Sequence, residues 1–408
     1  MRKWYRLDSL AKYYTSNIHG EQKVFRYSAM LEDNIDKDIL QQALDKTIYI
    51  YKNFNVNLKR GLFWYYFNES SDVVRVMEEN LPICFNLYNS SEDFLYRVSY
   101  YKNKINLEVS HMLSDGRGTL GFFKSLLTNY VSLKYKIKIE EEQVGASWNE
   151  MTENSFQKYY KKVKRIKKEK DKTYIYKGKK YRNQTRFMEC YMDATKLLNI
   201  AHSYNTSITA LLTSMLIYSF KDVMKLSDMN KYIKIDIPVD LRGFYKSSSS
   251  QNFVGICSIS YKFNSKDDTL EDVIRSVDNQ FKTEITEEKI NQKVNSLVAV
   301  ENNPFCRFVP LFIKTRVISL GKKILVSNAS TCLSNVGVIE MDNNIKQKIK
   351  TISAMISTED FQFTICTFNN TLCLTISSAY VTNDIIKNYC RSFSNMGVDV
   401  TIYTNTLE

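Results

Sequence analysis

The clearest pattern of apolar and polar residues along the chain covers residues 105–130. Over residues 105–110 apolar and polar side chains alternate, which predicts a β-strand with two different faces. Over residues 120–130 the apolar side chains recur at helical spacing, which predicts an amphipathic helix. Residues 111–116 separate the two patterns. The sequence therefore predicts a strand, a short turn that contains His111, Asp115 and Gly116, and then a helix.

The same two periods indicate a mixture of helices and strands along the whole chain, without an internal repeat. Strands are predicted over residues 23–31, 54–67 (a hairpin), 93–101, 104–111, 185–191, 232–239, from 252 onwards, 361–368, 371–378 and 398–404. Helices are predicted over residues 7–14, 36–51, 193–203, 208–224, 267–302 (one or two helices), 307–324 and 383–393. This order predicts a mixed α/β (α+β) fold.

A basic segment supplies the best boundary between domain-sized units. Residues 158–182 contain 13 Lys and Arg and two acidic residues, so they carry +11 of the net charge of +13. We therefore divide the chain into an N-terminal unit (1–155), a basic linker (156–184) and a C-terminal unit (185–408). A solvated linker is the favoured interpretation of the basic segment. The alternatives are a surface that attracts an anionic ligand, such as a phosphate-bearing small molecule or an acidic protein, and nucleic-acid binding.

Several classes of protein are disfavoured by composition. The N-terminus has no apolar run typical of a signal peptide, and the apolar stretch over 208–220 is too short for a membrane span, so we expect a cytoplasmic protein without a membrane span. The eight cysteines form no C-x-x-C pair, and no combination with the three histidines has zinc-ligand spacing. We expect no metal, no permanently bound cofactor, no nucleic-acid partner, and a monomer.

The turn after the predicted strand carries the candidate chemistry. The imidazole of His111 titrates near neutrality, so it is suited to accept and return a proton. Asp115 can cap the following helix or pair with a distant cation, and Gly116 and Gly118 allow backbone angles that other residues resist. A structural histidine is the first alternative. A dinucleotide site is the second, because Gly116, Gly118 and Gly121 form G-x-G-x-x-G, but the residues that follow are too polar for a buried parallel strand.

The H-x-x-x-D-G motif after a strand resembles the signature of the acyltransferase superfamily of chloramphenicol acetyltransferase, the condensation domains of peptide synthetases and the alcohol O-acetyltransferases. Residues 94–100 and 126–130 are similar to the family as well, and so is the position of the motif in the chain. The resemblance implies two related α/β subdomains with a tunnel and active site between them. It implies that His111 is the general base, that Asp115 is the second catalytic residue of the motif, and that Gly116 supports the structure of the site.

Two further segments resemble this superfamily. Arg242, in the loop before the strand that opens at Asn252, is predicted by the resemblance to pair with Asp115 and hold the turn in shape; a solvated loop arginine is the alternative. Ser334 and Asn335 lie in a Ser-Asn-x-Gly stretch that resembles the alcohol acetyltransferase-like members. With Asn252 they are candidates for contacts to the oxyanion or substrate, although Ser and Asn also simply favour turns.

The sequence thus predicts an acyltransferase that moves an acyl group, such as acetyl, from a coenzyme A thioester to a small alcohol or amine. A second histidine usual in condensation domains is replaced by Ser110, which favours acyl-coenzyme A as co-substrate. The alternatives are a condensation enzyme that depends on an acyl carrier protein, and a non-catalytic binding protein that retains the fold. The plant-type Asp-Phe-Gly-Trp-Gly motif is absent, and the sequence names neither the acceptor nor the acyl chain.

Overall fold

The computed structural model describes residues 3–138, 146–162, 172–182, 184–265, 267–303, 308–316 and 329–405. The strands in the N-terminal part are β1 (Trp4–Arg6), β2 (Val24–Leu31), β3 (Val56–Arg60), β4 (Tyr65–Glu69), β5 (Met77–Glu78), β6 (Tyr96–Tyr101) and β7 (Lys104–Ser110). The remaining strands are β8 (Arg186–Asp193), β9 (Ile233–Asp240), β10 (Val254–Tyr261), β11 (Thr331–Val338), β12 (Ile349–Ile356), β13 (Phe361–Phe368), β14 (Thr371–Ser378) and β15 (Thr401–Thr404).

The helices follow the apolar periods of the sequence. They include α1 (Ser9–Tyr14), α2 (Lys37–Ile50), α3 (Gly116–Tyr135), α4 (Trp148–Met151), α5 (Ser155–Lys158), α6 (Ala194–Ser203), α7 (Ile208–Ser219), α8 (Leu270–Glu284), α9 (Glu287–Asn302), and the helices Asn343–Lys346 and Asp384–Asn395. Side-chain oxygens of Asp8, Asp36 and Asp115 cap α1, α2 and α3, which fixes where these helices begin. None of the described helices is long and apolar enough to cross a membrane.

The His111 turn follows the C-terminal end of β7, the central strand of a five-stranded sheet of order β12-β2-β7-β6-β5. Strand β7 pairs antiparallel with both β2 and β6, so the G-x-G-x-x-G stretch after it does not belong to a parallel dinucleotide-binding sheet. Strand β12 was not predicted from the sequence. It comes from the C-terminal part of the chain but pairs antiparallel with β2, so residues 185–408 contribute a strand to the N-terminal sheet.

The second large sheet has seven strands in the order β10-β9-β11-β13-β14-β8-β15. Its two faces contribute to different cores. Phe363 and Ile365 of β13 pack in the core formed with α6, α7 and α8, whereas Cys366 and Phe368 belong to the core of the N-terminal half. Strand β12 packs on β13 and β14, and the Cys366 thiol donates to the Ile352 carbonyl at 3.3 Å. The two sheets are therefore joined through β12.

The predicted mixed α/β class is confirmed, and most predicted elements are present. The predicted helix over 307–324 lies largely outside the described residues, although residues 311–316 are helical. Residues 163–171, the middle of the basic segment, lie outside them too. The end of that segment packs on the C-terminal part of the chain: Thr173 bridges to Tyr232 and Lys180 to Tyr380. Residues 172–182 are therefore not a free solvated linker.

Candidate functional site

His111 directly follows the last residue of β7, the central strand of the five-stranded sheet. Its backbone N–H donates to the carbonyl of Lys23 at 2.8 Å, which continues the pairing of β7 with β2 by one residue. The four residues that follow, 112–115, are all buried, whereas His111 itself is only partly buried. The turn therefore rests on the core and presents the imidazole at its accessible side.

Two aromatic rings hold the imidazole. Tyr14, the last residue of α1, stacks on it with ring centroids 5.0 Å apart, and Phe25 of β2 lies 4.7 Å away at a tilted angle. Burial in these surroundings lowers the pKa of His111 to about 4, although a hydrogen bond with Asn252 and the charge of Asp115 act to raise it. Lys23 lowers the pKa further. The imidazole is therefore neutral at pH 7 and able to accept a proton.

An NMR pH titration of the His111 imidazole is expected to show protonation at about pH 4, well below the ordinary value of about 6.5. The sign follows from burial, which disfavours the charged form, so the ring stays unprotonated until the pH falls far below neutrality. The resonance is assigned by its loss in His111→Ala. Protonation of His111 near pH 6.5 would show that the ring is solvated and contradict this geometry.

Asp115 connects the turn to the loop that precedes β10. Its Oδ1 accepts from the N–H of Gly118 at 2.8 Å and caps α3, and its Oδ2 accepts from the Phe253 N–H at 2.7 Å. The same Oδ2 accepts from Nη1 of Arg242 at 3.0 Å. The predicted ion pair is therefore present, and the Asp115 carboxylate is 1% exposed. Motif and loop lie about 130 residues apart in sequence and are joined by one carboxylate.

All three nitrogens of the Arg242 guanidinium donate hydrogen bonds. Nη1 also donates to Asp240 at 3.0 Å, Nη2 donates to the carbonyls of Ser249 and Gln251, and Nε donates to the Ser249 carbonyl. Burial alone would lower the pKa of Arg242, but the charges and hydrogen bonds of Asp115 and Asp240 raise it. Arg242 is thus a structural cation that shapes the loop, and a solvated arginine is excluded.

The glycines after Asp115 provide space for close packing. Neither Gly116 nor Gly118 has a positive φ, so the expectation of unusual backbone angles was wrong for both. A Cβ at Gly118 would lie 2.3 Å from the carbonyl oxygen of Ser250 and 2.7 Å from Ser114 Oγ, whereas a Cβ at Gly116 would come no closer than 3.3 Å, to the Tyr27 hydroxyl. Because Ser114 Oγ donates to the same Ser250 carbonyl at 2.6 Å, Gly118 marks where the loop meets α3.

Gly118→Ala is expected to lower the free energy of unfolding by about 1–3 kcal/mol, because the added methyl overlaps a backbone carbonyl that cannot rotate away. Gly116→Ala is the matched control, since its methyl meets only a side-chain hydroxyl and alanine favours the helix by up to ~1 kcal/mol. Urea unfolding followed by circular dichroism compares the two. Equal stability of the two variants would contradict the close approach.

Asn252 contacts His111, but its side-chain N–H groups are not available to donate to a substrate. Its Nδ2 donates to the His111 carbonyl at 3.0 Å and to Asp8 Oδ2 at 2.9 Å, and its Oδ1 lies 3.4 Å from His111 Nδ1. With both N–H groups in use, the expected oxyanion or substrate contact of Asn252 does not fit the structure. Asp8 was not predicted as a site residue, because the sequence analysis placed it inside the helix predicted over residues 7–14.

Ser334 and Asn335 lie on opposite faces of β11. Asn335 donates through Nδ2 to Thr209 Oγ1 of α7 at 2.7 Å and accepts from the Gly337 N–H at 2.8 Å, so its amide is used to hold a bulge. One of the two Nδ2 N–H groups of Asn335 is used in this way, and its contact with an oxyanion or substrate stays a prediction. Ser334 is paired with Thr364 and shares its face, which points away from α7, and among the described residues its hydroxyl has no hydrogen-bond partner. Ser334 stays a candidate contact.

A cavity of about 590 Å³ lies next to the segment that follows α1, and its described lining does not include residues 111–116. Tyr14, which stacks on His111, is followed in the chain by Thr15, and residues 15–20 form one wall of the cavity. Arg60 and Tyr65 of the β3–β4 hairpin and four residues of 311–316 complete the described lining, which contains no carboxylate. Its volume falls in the range of small-molecule sites in proteins.

Comparison with solved structures identifies the fold. TRI101 of F. graminearum, in complex with coenzyme A and T-2 mycotoxin, is 11% identical with a TM-score of 0.66 over 98% of this chain and 99% of that one. TRI3 trichothecene 15-O-acetyltransferase of Fusarium sporotrichioides is 10% identical with a TM-score of 0.60 over 97% and 94%. The first condensation domain of the calcium-dependent antibiotic synthetase is 10% identical with a TM-score of 0.63 over 98% and 99%.

Sequence comparison adds nothing to this: no protein-family model matches the chain, and neither does any curated protein. The similarity to the solved structures nevertheless covers almost the whole length of both partners. At identities of 10–11% it is a similarity of fold. The chain therefore has the fold of TRI101, TRI3 and the condensation domain, which is the fold that the resemblance of its H-x-x-x-D-G motif implies.

Proposed function

We propose that the protein is an acyltransferase that moves an acyl group from a thioester to a small alcohol or amine, with His111 as general base. The observation that carries this proposal is a neutral, partly exposed imidazole at a strand end, held by Tyr14, Phe25 and Asn252. Its lowered pKa keeps the ring able to accept a proton at neutral pH.

In this mechanism His111 removes the proton from the hydroxyl or amine of the acceptor as that atom attacks the thioester carbonyl. A new C–O or C–N bond forms, and the carbonyl oxygen carries the negative charge of the tetrahedral intermediate. When the C–S bond breaks, the imidazolium returns the proton to the leaving thiolate. The transfer is direct, so no serine or cysteine nucleophile is needed, and the burial of the Cys84 and Cys257 side chains agrees with this.

The remaining residues support the base in distinct ways. Asp115 and Arg242 keep the turn in shape and do not transfer protons, because both are fully engaged in hydrogen bonds. Ser334, on the face of β11 turned away from α7, is our candidate donor to the developing oxyanion. In this proposal the active site lies in a tunnel between the two halves of the chain, as the resemblance implies.

We propose acyl-coenzyme A as the donor, and the protein acts as a monomer in the cytoplasm. The TRI101 structure, which shares the fold, contains coenzyme A together with T-2 mycotoxin, which supports a coenzyme A donor and a small-molecule acceptor. An acyl carrier protein is the alternative donor, and the condensation domain with the same fold supports it. Ser110, in place of a second histidine, favours coenzyme A.

The proposal is tested by release of free thiol from acetyl-coenzyme A in the presence of a panel of small alcohols and amines. We expect release that depends on both enzyme and acceptor. The same panel is then tested with an acetylated carrier protein as donor. The alternative predicts turnover with this donor and none with acetyl-coenzyme A. No thiol release with either donor would favour the non-catalytic binding protein and reject the acyltransferase.

A further inference from the structure

The carboxylate of Asp8 is completely buried and lies outside the H-x-x-x-D-G motif. Its Oδ1 accepts from the backbone N–H groups of Leu10 and Ala11 at 2.8 and 2.7 Å. Its Oδ2 accepts from the backbone N–H and from Nδ2 of Asn252 at 3.2 and 2.9 Å. All four partners are donors, so they fit the ionised carboxylate and not the acid. Burial raises the pKa of Asp8 to about 6, while the hydrogen bonds from Ala11 and Asn252 and the charge of Lys12 act to lower it.

These contacts decide which way the amide of Asn252 faces. Nδ2 lies between Asp8 Oδ2 and the His111 carbonyl oxygen, and both of these atoms can only accept hydrogen bonds. A flipped amide would place its oxygen against two acceptors and is therefore excluded. Oδ1 must face Nδ1 of His111, at a distance of 3.4 Å. That distance is long for a hydrogen bond, as is common for catalytic contacts in the absence of substrate.

We propose that Asp8 is a positioning residue that acts through Asn252 to hold His111 in the tautomer protonated on Nδ1. An acceptor fixed at Nδ1 favours a proton on that nitrogen, and the lone pair is then on Nε2. The consequence for catalysis rests on the proposed function, in which Nε2 accepts the proton of the acceptor. Asp8 does not touch substrate in this arrangement. It determines which ring nitrogen is the base.

Several charged and polar groups act on this chain of contacts, including the hydroxyls of Tyr5 and Tyr14, which interact electrostatically with Asp8. Lys12 acts on Asp8, while Asp115 and Lys23 act on the His111 ring with opposite signs, and the Ser114 backbone makes a weaker contact with the ring. None of these groups lies between Asp8 Oδ2 and Asn252, which are in direct contact. A substitution at Asp8 therefore affects the tautomer of His111 by changing the orientation of the Asn252 amide.

Asp8→Asn tests the proposal, because asparagine caps a helix as well as aspartate but presents an NH₂ group to Asn252. The readout is the ¹⁵N NMR spectrum of the His111 imidazole at pH 7.5, which distinguishes the two tautomers. We expect the Nδ1–H form in the wild type and a shift toward the Nε2–H form in the variant. We also expect kcat to fall by about 10- to 100-fold with an unchanged KM for the donor.

Asp36→Asn is the matched control. Asp36 caps α2 through the same pair of backbone contacts, at 2.9 and 3.0 Å, and should change neither tautomer nor kcat. Asp8→Ser, which also retains a cap, provides a second variant if Asp8→Asn does not fold. A wild-type His111 in the Nε2–H form, or a tautomer unchanged in both Asp8 variants, would overturn the proposal. Absence of wild-type turnover would instead reject the proposed function, while the NMR spectra still decide the role of Asp8.

Discussion

His111→Ala is expected to lower the turnover number by about 10²- to 10⁴-fold, the usual contribution of a positioned general base. The base is lost, but the groups that hold the turn in shape remain, since Asp115 and Arg242 do not bond the ring. The KM for the acyl donor should change little, because the ring acts on the acceptor proton. Steady-state thiol release at saturating donor and acceptor measures the effect.

His202→Ala is the control for this variant. His202 is exposed in the last turn of α6, so the same chemical change there should leave turnover unaltered. Far-ultraviolet circular dichroism must show that His111→Ala remains folded. Unchanged turnover would mean that another group is the base. A variant that does not fold would support the alternative in which His111 is a structural histidine that fills the space between Tyr14 and Phe25.

Arg242→Met is expected to lower the free energy of unfolding by about 3–5 kcal/mol, since it leaves the buried Asp115 carboxylate without its cation. The three hydrogen bonds to the carbonyls of Ser249 and Gln251 are lost as well. The loop before β10 and the turn after β7 should then separate, so activity should fall with stability. Urea unfolding measures the loss.

A second substitution, Asp115→Asn, is expected to change the free energy of unfolding in opposite directions in the wild type and in Arg242→Met, and only the buried ion pair explains this difference. Asp115→Asn should destabilise the wild type but stabilise the Arg242→Met variant, because there it removes an uncompensated buried charge. Arg117→Met is the control, since Arg117 is 58% exposed and approaches Asp240 only to 3.9 Å, so its loss should cost less than about 1 kcal/mol. Additive effects of Asp115→Asn and Arg242→Met would contradict the pair.

The sequence predicted those features of the fold that depend on local pattern. The strand, turn and helix around His111 were predicted because residues 105–130 change from alternating to helical spacing at the turn. Strand β12 was missed, although it lies next to the predicted strand over 361–368. Its pairing with β2, more than 300 residues away, could not be predicted from a local pattern.

The sequence predicted the parts of the site that consist of motif residues. It did not predict the parts that depend on contacts between residues far apart in the chain. The Asp115–Arg242 pair followed from the resemblance, and the structure contains it. Asn252 and Asn335 were identified by residue type, but whether their amide groups are free depends on partners at Asp8 and Thr209 that the sequence does not reveal. Asp8 was predicted only as part of the helix over residues 7–14, whereas the structure places it before α1 as its cap.

The most direct test of His111-dependent acyl transfer is the fate of a labelled acetyl group. Acetyl-coenzyme A labelled with ¹³C in its acetyl group is incubated with the acceptor panel and with wild type or His111→Ala, and both small molecules and intact protein are examined by mass spectrometry. We predict label in an acceptor with one coenzyme A released per transfer, no acetylated protein intermediate, and little product from His111→Ala. Label on the protein that chases into product, or equal product from both proteins, would contradict direct transfer with His111 as the base.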